Sequence, residues 1–236
     1  MEKSRFLFTE IAIDSLTQLK VVQASQLPIG KTIENIAPES LLKKYDNFLK
    51  SKNLQVMKPV LSRLQPWALA TNIILIDKVI KNPNLAPMDK QIYDYAISTK
   101  NKQHIALESA EDQLKVFTTM EMKQQLYMLE ATLDMLADPK VDPVDQLIKV
   151  YLSGDGQKMM ATIEQYQMVS EEAEKKFLEK LLDKRNVHMA DRIHDHFEKN
   201  GQASSFIAVG AAHYFGEKSI KTLLEKKGYR VSLVKP

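Results

Sequence analysis

The segment FIAVGAAHYFGEKSIKTLLEKKGYRVSLV, from Phe206 to Val234, carries the strongest indication of the architecture. Residues 205–210 are largely apolar and partly β-branched, which is typical of a buried strand. A turn of small residues ending in His213 follows, then a helical pattern over 217–227 and a second strand pattern over 229–234. A strand, a helix and a strand in succession predict parallel pairing with a right-handed crossover.

The rest of the chain adds many helices and few strands. The apolar segments 5–13 and 103–107 are predicted to be buried strands, and most of the chain between them has helical periodicity. The longest helix is predicted to begin at Ser170 and to end near Lys199, before Asn-Gly. We therefore predict a single α/β domain over residues 1–236, with a central, mostly parallel sheet of few strands and a large helical insertion at about 38–100.

Composition and charge exclude several classes of protein. Lys and Arg number 33 and Asp and Glu number 30, and this small, evenly spread excess argues against a nucleic-acid partner. The chain has no cysteine, so disulfides, thiolate metal sites and cysteine nucleophiles are excluded. No segment is long and apolar enough to span a bilayer, and the beginning MEKSRFLFTEIAID lacks the pattern of a signal peptide.

Two ionisable residues follow predicted strands, where ligands bind in open α/β sheets. His213 lies beyond strand 205–210 in the motif G-x-x-H, and Gly210 in that motif allows a ligand to approach closely. The histidine is either a metal ligand or general base, or a residue that only hydrogen-bonds its turn. Glu108 ends strand 103–107 and is either a ligand or acid–base group, or a charge that stabilises the next helix.

Other candidates lie within predicted elements. Glu10 interrupts the apolar run FLFTEIAI, so it either faces water at an edge or is paired with a cation or metal. Arg185, next to Asn186 in the longest helix, either steadies a carboxylate cluster and a developing oxyanion or is an exposed helix charge. Three further histidines on this helix are interpreted as surface residues: His188, His194 and His196.

Several of these segments together resemble the TraB/GumN family, whose animal members include the Tiki proteases. VGAAHYFGEKSIKTLLEKKGYRVSLV resembles its C-terminal signature, V-G-A-x-H-x-x-G followed by leucines and G-Y-x-V. Four upstream segments resemble family motifs in the expected order: FTEIAID at 8–14, QPWALA at 65–70, IALESAEDQL at 105–114 and RNVHMADRI at 185–193. The resemblance covers essentially the whole chain.

The resemblance implies a fold similar to the erythromycin-esterase and ChaN-like group, and a metal-dependent hydrolase that acts on peptides. The family site consists of two G-x-x-H motifs, a glutamate and an arginine. His213 would be the second-motif histidine, Arg185 the arginine, and Glu10 or Glu108 the glutamate. His213 and Glu10 would bind a divalent metal (Mn, Co or Zn), while Gly210 and Asn186 would contact the substrate.

Further expectations concern the first family motif. It belongs on a strand before the one that contains Glu10, and only nine residues precede Glu10 here. We therefore expect a truncated or inactive member, and the alternative is a non-catalytic protein that binds a peptide or small ligand on the same fold. The missing strand would leave 5–13 with an unpaired edge, which predicts a homodimer. Because family members are often exported, the resemblance also implies an extracytoplasmic (periplasmic) location.

Overall fold

A three-stranded parallel sheet forms the centre of the protein, whose computed structural model describes residues 1–138, 142–166, 169, 171–201 and 203–234. The strands are β1 (Phe6–Thr9), β2 (Gln103–Ala106) and β3 (Ser205–Ile207), in the order β2-β1-β3. Phe6 of β1 is paired with Gln103 on one side and Ser205 on the other. The predicted α/β class with a small parallel sheet and a large helical part is confirmed.

Helices account for most of the remaining chain. In sequence order they are α1 (Ser15–Ser25), α2 (Glu39–Ser51), α3 (Lys58–Leu61), α4 (Pro66–Lys81), α5 (Met88–Ser98), α6 (Ala110–Thr118), α7 (Met122–Ala137), α8 (Pro143–Ser153), α9 (Gly156–Gln165), α10 (Glu171–Leu178), α11 (Lys184–Asn200) and α12 (Ile220–Lys226). Short 3₁₀ turns occupy Ile33–Asn35, Gln55–Met57 and Ala211–Tyr214, and a π-helical turn, Glu179–Asp183, joins α10 to α11. None of the helices in the described part of the chain could cross a membrane.

The two faces of β1 are covered by different helices. Phe6 and Phe8 pack with Met189 and Ile193 of α11, whereas Leu7 packs with Ile92 of α5. Successive side chains of a strand point to opposite faces, so this alternation places α11 and α5 on opposite sides of the sheet. A buried aliphatic or aromatic side chain contributes about 2 kcal/mol by leaving water, which fixes both helices against the strand.

The helical part has its own core. Leu69 and Ile73 of α4 and Met128 and Leu129 of α7 are at most 1% exposed. Trp67 of α4 stacks on Phe117 of α6 with ring centroids 5.0 Å apart. This core supports α6, the helix that follows Glu108.

Several helices begin directly after a Ser or Asp residue whose side chain caps the helix. The Ser109 hydroxyl accepts a hydrogen bond from the Asp112 amide at 3.1 Å and caps the start of α6. The last long helix is continuous from Glu171 to Asn200 except for its π-helical turn, while its predicted first residue, Ser170, lies outside the described residues. Helix α1 begins after Asp14, whose side chain accepts a hydrogen bond from the Thr17 amide.

Two strand predictions are wrong. β1 is the central strand, so the unpaired edge predicted for 5–13 does not exist, and the homodimer inferred from it loses its structural basis. The segment 229–234 is not assigned to a strand, although its alternating pattern predicted one. The parallel sheet therefore arises from the long connections between β1, β2 and β3, and α12 follows β3 without a further described strand.

His196 also differs from its prediction as a surface residue. It is 8% exposed, and its ring packs against Phe6 and Phe8 at centroid distances of 4.5 and 4.8 Å. Its Nε2 lies 3.2 Å from the Ser205 hydroxyl, so the polar ring is hydrogen-bonded inside the core. Burial lowers the pKa of His196 below its ordinary value.

Candidate functional site

The carboxyl ends of the three strands meet at one edge of the sheet, and each contributes to one cluster. Glu10 follows β1, Glu108 follows β2 and Gly210 follows β3. The Glu108 amide donates to the Glu10 carbonyl at 2.8 Å, and the Gly210 amide donates to Glu10 Oε1 at 2.7 Å. Parallel strands end on the same side, which explains why residues about 100 positions apart in sequence lie together here.

Arg185 of α11 joins the two carboxylates. Its Nη2 lies 2.6 Å from Glu10 Oε2 and 2.5 Å from Glu108 Oε1, and its Nε lies 3.0 Å from both Glu108 oxygens. The three side chains are 10%, 15% and 1% exposed, so this is a buried ionic triad. Burial opposes the charge of Arg185, but the hydrogen bonds and charges of Glu108 and Glu10 outweigh burial and raise the guanidinium pKa.

The donor inventory of Arg185 is almost fully used. A guanidinium has five N–H groups. Nε and Nη2 serve the carboxylates, and one Nη1 hydrogen is donated to the Leu181 carbonyl at 2.9 Å, within the π-helical turn that precedes α11. One Nη1–H therefore has no partner among the residues that the structure describes and can be donated to a ligand. Turns of π-helix are frequent at functional sites, since the extra residue re-aims the side chains that follow.

His213 is buried and held by Asn186. The two residues are 4% and 2% exposed, and His213 Nδ1 lies 2.6 Å from Asn186 Oδ1. Because a carboxamide oxygen only accepts, Nδ1 carries the hydrogen and Nε2 keeps its lone pair. Nε2 lies 3.8 Å from Glu10 Oε2.

The electrostatic environment keeps this imidazole neutral at pH 7. Burial is the main cause of a lowered pKa. The charge of Glu10 raises the pKa and the charge of Arg185 lowers it, and the pKa of His213 falls to about 4. A neutral ring with a fixed tautomer and a free Nε2 is what either a metal ligand or a proton acceptor needs.

Gly210 is needed for close packing rather than for an unusual backbone angle. A Cβ at this position would lie 3.2 Å from Glu10 Oε1 and 3.7 Å from His213 Cδ2. Any larger residue would crowd the carboxylate that receives the Gly210 hydrogen bond. The sequence predicts that Gly210 lets a ligand approach closely. In the structure Gly210 also contacts Glu10 directly.

Two cluster residues were not identified from the sequence. Gln113 of α6 places Nε2 3.2 Å from Glu10 Oε2 and 3.5 Å from Glu108 Oε1, and it is the glutamine of the segment IALESAEDQL. Asp89 lies in the first turn of α5, where burial and the nearby charge of Glu10 raise its pKa. Only the family segment could have indicated Gln113, and no local pattern distinguished Asp89.

The structure brings the predicted candidates Glu10, Glu108, Arg185 and His213 into one cluster, with Gly210 bonded to it. Asn186 was expected to contact the substrate. In the structure it is buried, and its side-chain oxygen is bonded to the His213 ring. The geometry therefore gives Asn186 the role of orienting the imidazole.

A divalent metal fits this cluster only in part. His213 Nε2 and Glu10 could occupy neighbouring positions around one ion, since their 3.8 Å separation is near that of adjacent ligands. Glu108 is committed to Arg185, whose positive charge opposes a second cation. A catalytic zinc normally has three protein ligands, and no group of three or more His, Cys, Asp or Glu residues within the described ranges could hold an ion. These residues alone do not complete a metal centre.

Comparison with known proteins agrees with the motifs that surround this cluster. The model of the TraB/PrgY/gumN family matches residues 1–233. The chain belongs to this family. The family resemblance carried by the glutamate strand, the Arg-Asn helix and the G-x-x-H turn is thereby confirmed.

Curated relatives of this family member are named as metalloproteases. Metalloprotease TIKI1 of Xenopus tropicalis is 22% identical over 273 residues, covering 98% of this chain and 54% of the relative. The Metalloprotease TIKI homolog of Nematostella vectensis is 22% identical over 279 residues, covering 99% and 59%. Metalloprotease TIKI2 of Xenopus tropicalis is 23% identical over 260 residues, covering 92% and 50%. The chain thus spans about half the length of these relatives, and no solved structure matches it.

Proposed function

We propose that the chain is a peptidase-type hydrolase whose reacting centre is the cluster of Glu10, Glu108, Arg185 and His213. The observation that carries the proposal is a neutral, buried His213 whose free Nε2 faces Glu10 where the strands end. The names of the relatives support a peptide bond as the target. The proposal involves neither a membrane nor a nucleic acid.

Each residue has a separate task in this hydrolysis. His213 Nε2 accepts the proton of the attacking water and then gives it to the leaving amine as the C–N bond breaks. Asn186 keeps the opposite nitrogen protonated, so that the correct lone pair faces the substrate. Glu10 stabilises the imidazolium that forms, from 3.8 Å. The remaining Nη1–H of Arg185 donates to the oxyanion, while Glu108 fixes the guanidinium.

A divalent metal (Mn²⁺, Co²⁺ or Zn²⁺) belongs to the proposal because the relatives are named metalloproteases. His213 Nε2 and Glu10 would supply two of its ligands. The metal would compete with a proton for the same lone pair of His213, so the two roles exclude each other and an experiment can separate them.

The test is peptide hydrolysis by the full chain, measured by mass spectrometry on a mixed peptide library. The assay is run in EDTA and with each metal, for the parent chain, His213→Ala and the control His194→Ala. His194 lies on α11 but bonds Tyr229 at 2.8 Å, away from the cluster. Cleavage lost only in His213→Ala supports the proposal. Cleavage in EDTA assigns proton transfer to His213, and cleavage that needs one metal assigns ligation.

A second candidate is a non-catalytic protein that binds a peptide or small ligand in the same place. The saturation of both carboxylates by Arg185 favours it, because it leaves few groups free for chemistry. Peptide binding without cleavage under every metal condition would support this candidate and refute the hydrolase.

A further inference from the structure

A cavity of about 690 Å³ adjoins the cluster on the side of Gly210. Its walls come from the start of α5, α8, the turn after β3, α12 and residues 231–234. Val209 and Gly210 line the cavity, and the Gly210 amide donates to Glu10 Oε1 at 2.7 Å. Gly210 therefore belongs both to the cavity lining and to the cluster. Pockets of this size, next to ionisable groups whose pKa values are shifted, commonly bind small ligands and side chains.

The cavity lining is mainly apolar and partly uncovered. Met88 and Tyr151 are 61% and 58% exposed although both line the cavity. Phe215 is fixed in the wall by its packing over Gly156, where a Cβ would lie 2.0 Å from the ring. Apolar surface of this kind gains free energy when a bulky apolar side chain covers it.

One charged group of the cavity has no partner in the described part of the chain. Asp89 is half-buried, and within the described ranges no side chain or backbone group forms a hydrogen bond or ion pair with it. Lys221, the cation of the same cavity, lies 3.2 Å from Glu225 and is paired with it. A half-buried carboxylate near Glu10 in an apolar cavity is stabilised by a cation that the ligand brings.

We propose that this cavity binds a bulky apolar side chain of the substrate, with an ammonium group of the same substrate on Asp89. The proposal rests on the proposed function, because it gives the substrate class of the hydrolytic cluster. The ammonium is either the amino terminus of a peptide or a lysine side chain. Both carry the same charge and hydrogen-bond donors, so the chemistry of recognition is shared.

The test is calorimetric binding of short peptides to the full chain in EDTA, without turnover. Leu-Gly-Gly is expected to bind roughly tenfold to a hundredfold more tightly than Gly-Gly-Gly, from burial of one leucine side chain. N-Acetyl-Leu-Gly-Gly amide lacks the ammonium, and N-acetyl-Leu-Lys amide offers it only on a side chain. Tight binding of Leu-Gly-Gly alone identifies the amino terminus, and tight binding of the acetylated lysine peptide identifies the side chain.

Asp89→Asn tests the charge with little change in shape. It is expected to weaken the preferred peptide about fivefold to tenfold, as for a hydrogen-bonded charge with some exposure to water. The control Asp94→Asn lies on the same helix and changes the same charge, but Asp94 is paired with Lys90 and does not line the cavity. It should bind like the parent chain.

The proposal is overturned if leucine and glycine peptides bind equally, if the fully blocked peptide binds as well as those with an ammonium, or if Asp89→Asn has no effect. Its failure is distinguishable from failure of the hydrolase. Selective binding without cleavage refutes only the hydrolase, whereas metal- or His213-dependent cleavage without this selectivity refutes only the cavity assignment.

Discussion

Acid should destabilise the protein through His213, and the size of the effect follows from its environment. The pKa of this residue is about 4 in the folded chain, against an ordinary value of 6.5. The unfolded chain therefore binds the proton first as the pH falls. The stabilising contribution is fully present above pH 6.5 and is lost as the pH falls from 6.5 to 4. At about 1.4 kcal/mol for each pKa unit, the loss amounts to about 3 kcal/mol.

Urea unfolding measured by circular dichroism at intervals between pH 7.5 and 4, in EDTA, would detect this loss. His104 and His196 also have pKa values lowered by burial and contribute their own loss. The variant His213→Gln retains both, so the difference between its pH profile and that of the parent chain isolates His213. The parent curve should be steeper, by up to about 1.4 kcal/mol per pH unit between pH 6 and 4.5.

A parallel pair of pH profiles would refute the reasoning. The same conclusion would follow if NMR titration placed the pKa of His213 at or above 6.5. In either case the ring would not be the neutral, desolvated group on which both its ligand role and its proton-acceptor role depend.

Three other substitutions should separate the contributions of the cluster. Arg185→Met leaves Glu108 buried without its partner and should cost about 3–5 kcal/mol in urea unfolding, and an unchanged midpoint would contradict the buried triad. Asn186→Ala removes the hydrogen bond that fixes His213, so NMR should show a smaller population of the Nδ1–H tautomer. The free energy of unfolding should fall by about 1–3 kcal/mol. An unchanged tautomer would show that the amide does not orient the ring. Gly210→Ala should cost about 1–3 kcal/mol through crowding of the carboxylate, and a neutral effect would mean that the turn adjusts freely.

The residues of the cluster were predictable because their chemistry conflicts with their surroundings. Glu10 stands in an apolar run, so its charge required a partner, and Arg185 supplies it. His213 and Glu108 follow strand patterns, which places them at the sheet edge before any coordinates are known. The family motifs then indicated that Arg185 and Asn186 belong to the same site.

The remaining features depend on tertiary structure that local patterns do not encode. Residues 229–234 alternate as a strand does, but a strand requires a partner edge, and β3 pairs only with β1 in the described structure. Asp89 looks like an ordinary first-turn acid of a helix, which is favourable for the helix dipole alone. Its position beside Glu10 arises because α5 packs on β1, and that contact follows only from the assembled sheet.

The central position of β1 also determines when the protein can fold as it is synthesised. β1 ends at Thr9, but its neighbours begin only at Gln103 and Ser205. At a translation rate of roughly 5–20 residues per second, β3 is synthesised about 10–40 s after β1. Throughout that interval the edge of β1 that pairs with β3, and the side chains of Phe6 and Phe8 that α11 covers, are open to other chains. The nascent protein should therefore be a favoured client of chaperones at the ribosome until β3 emerges and closes the sheet.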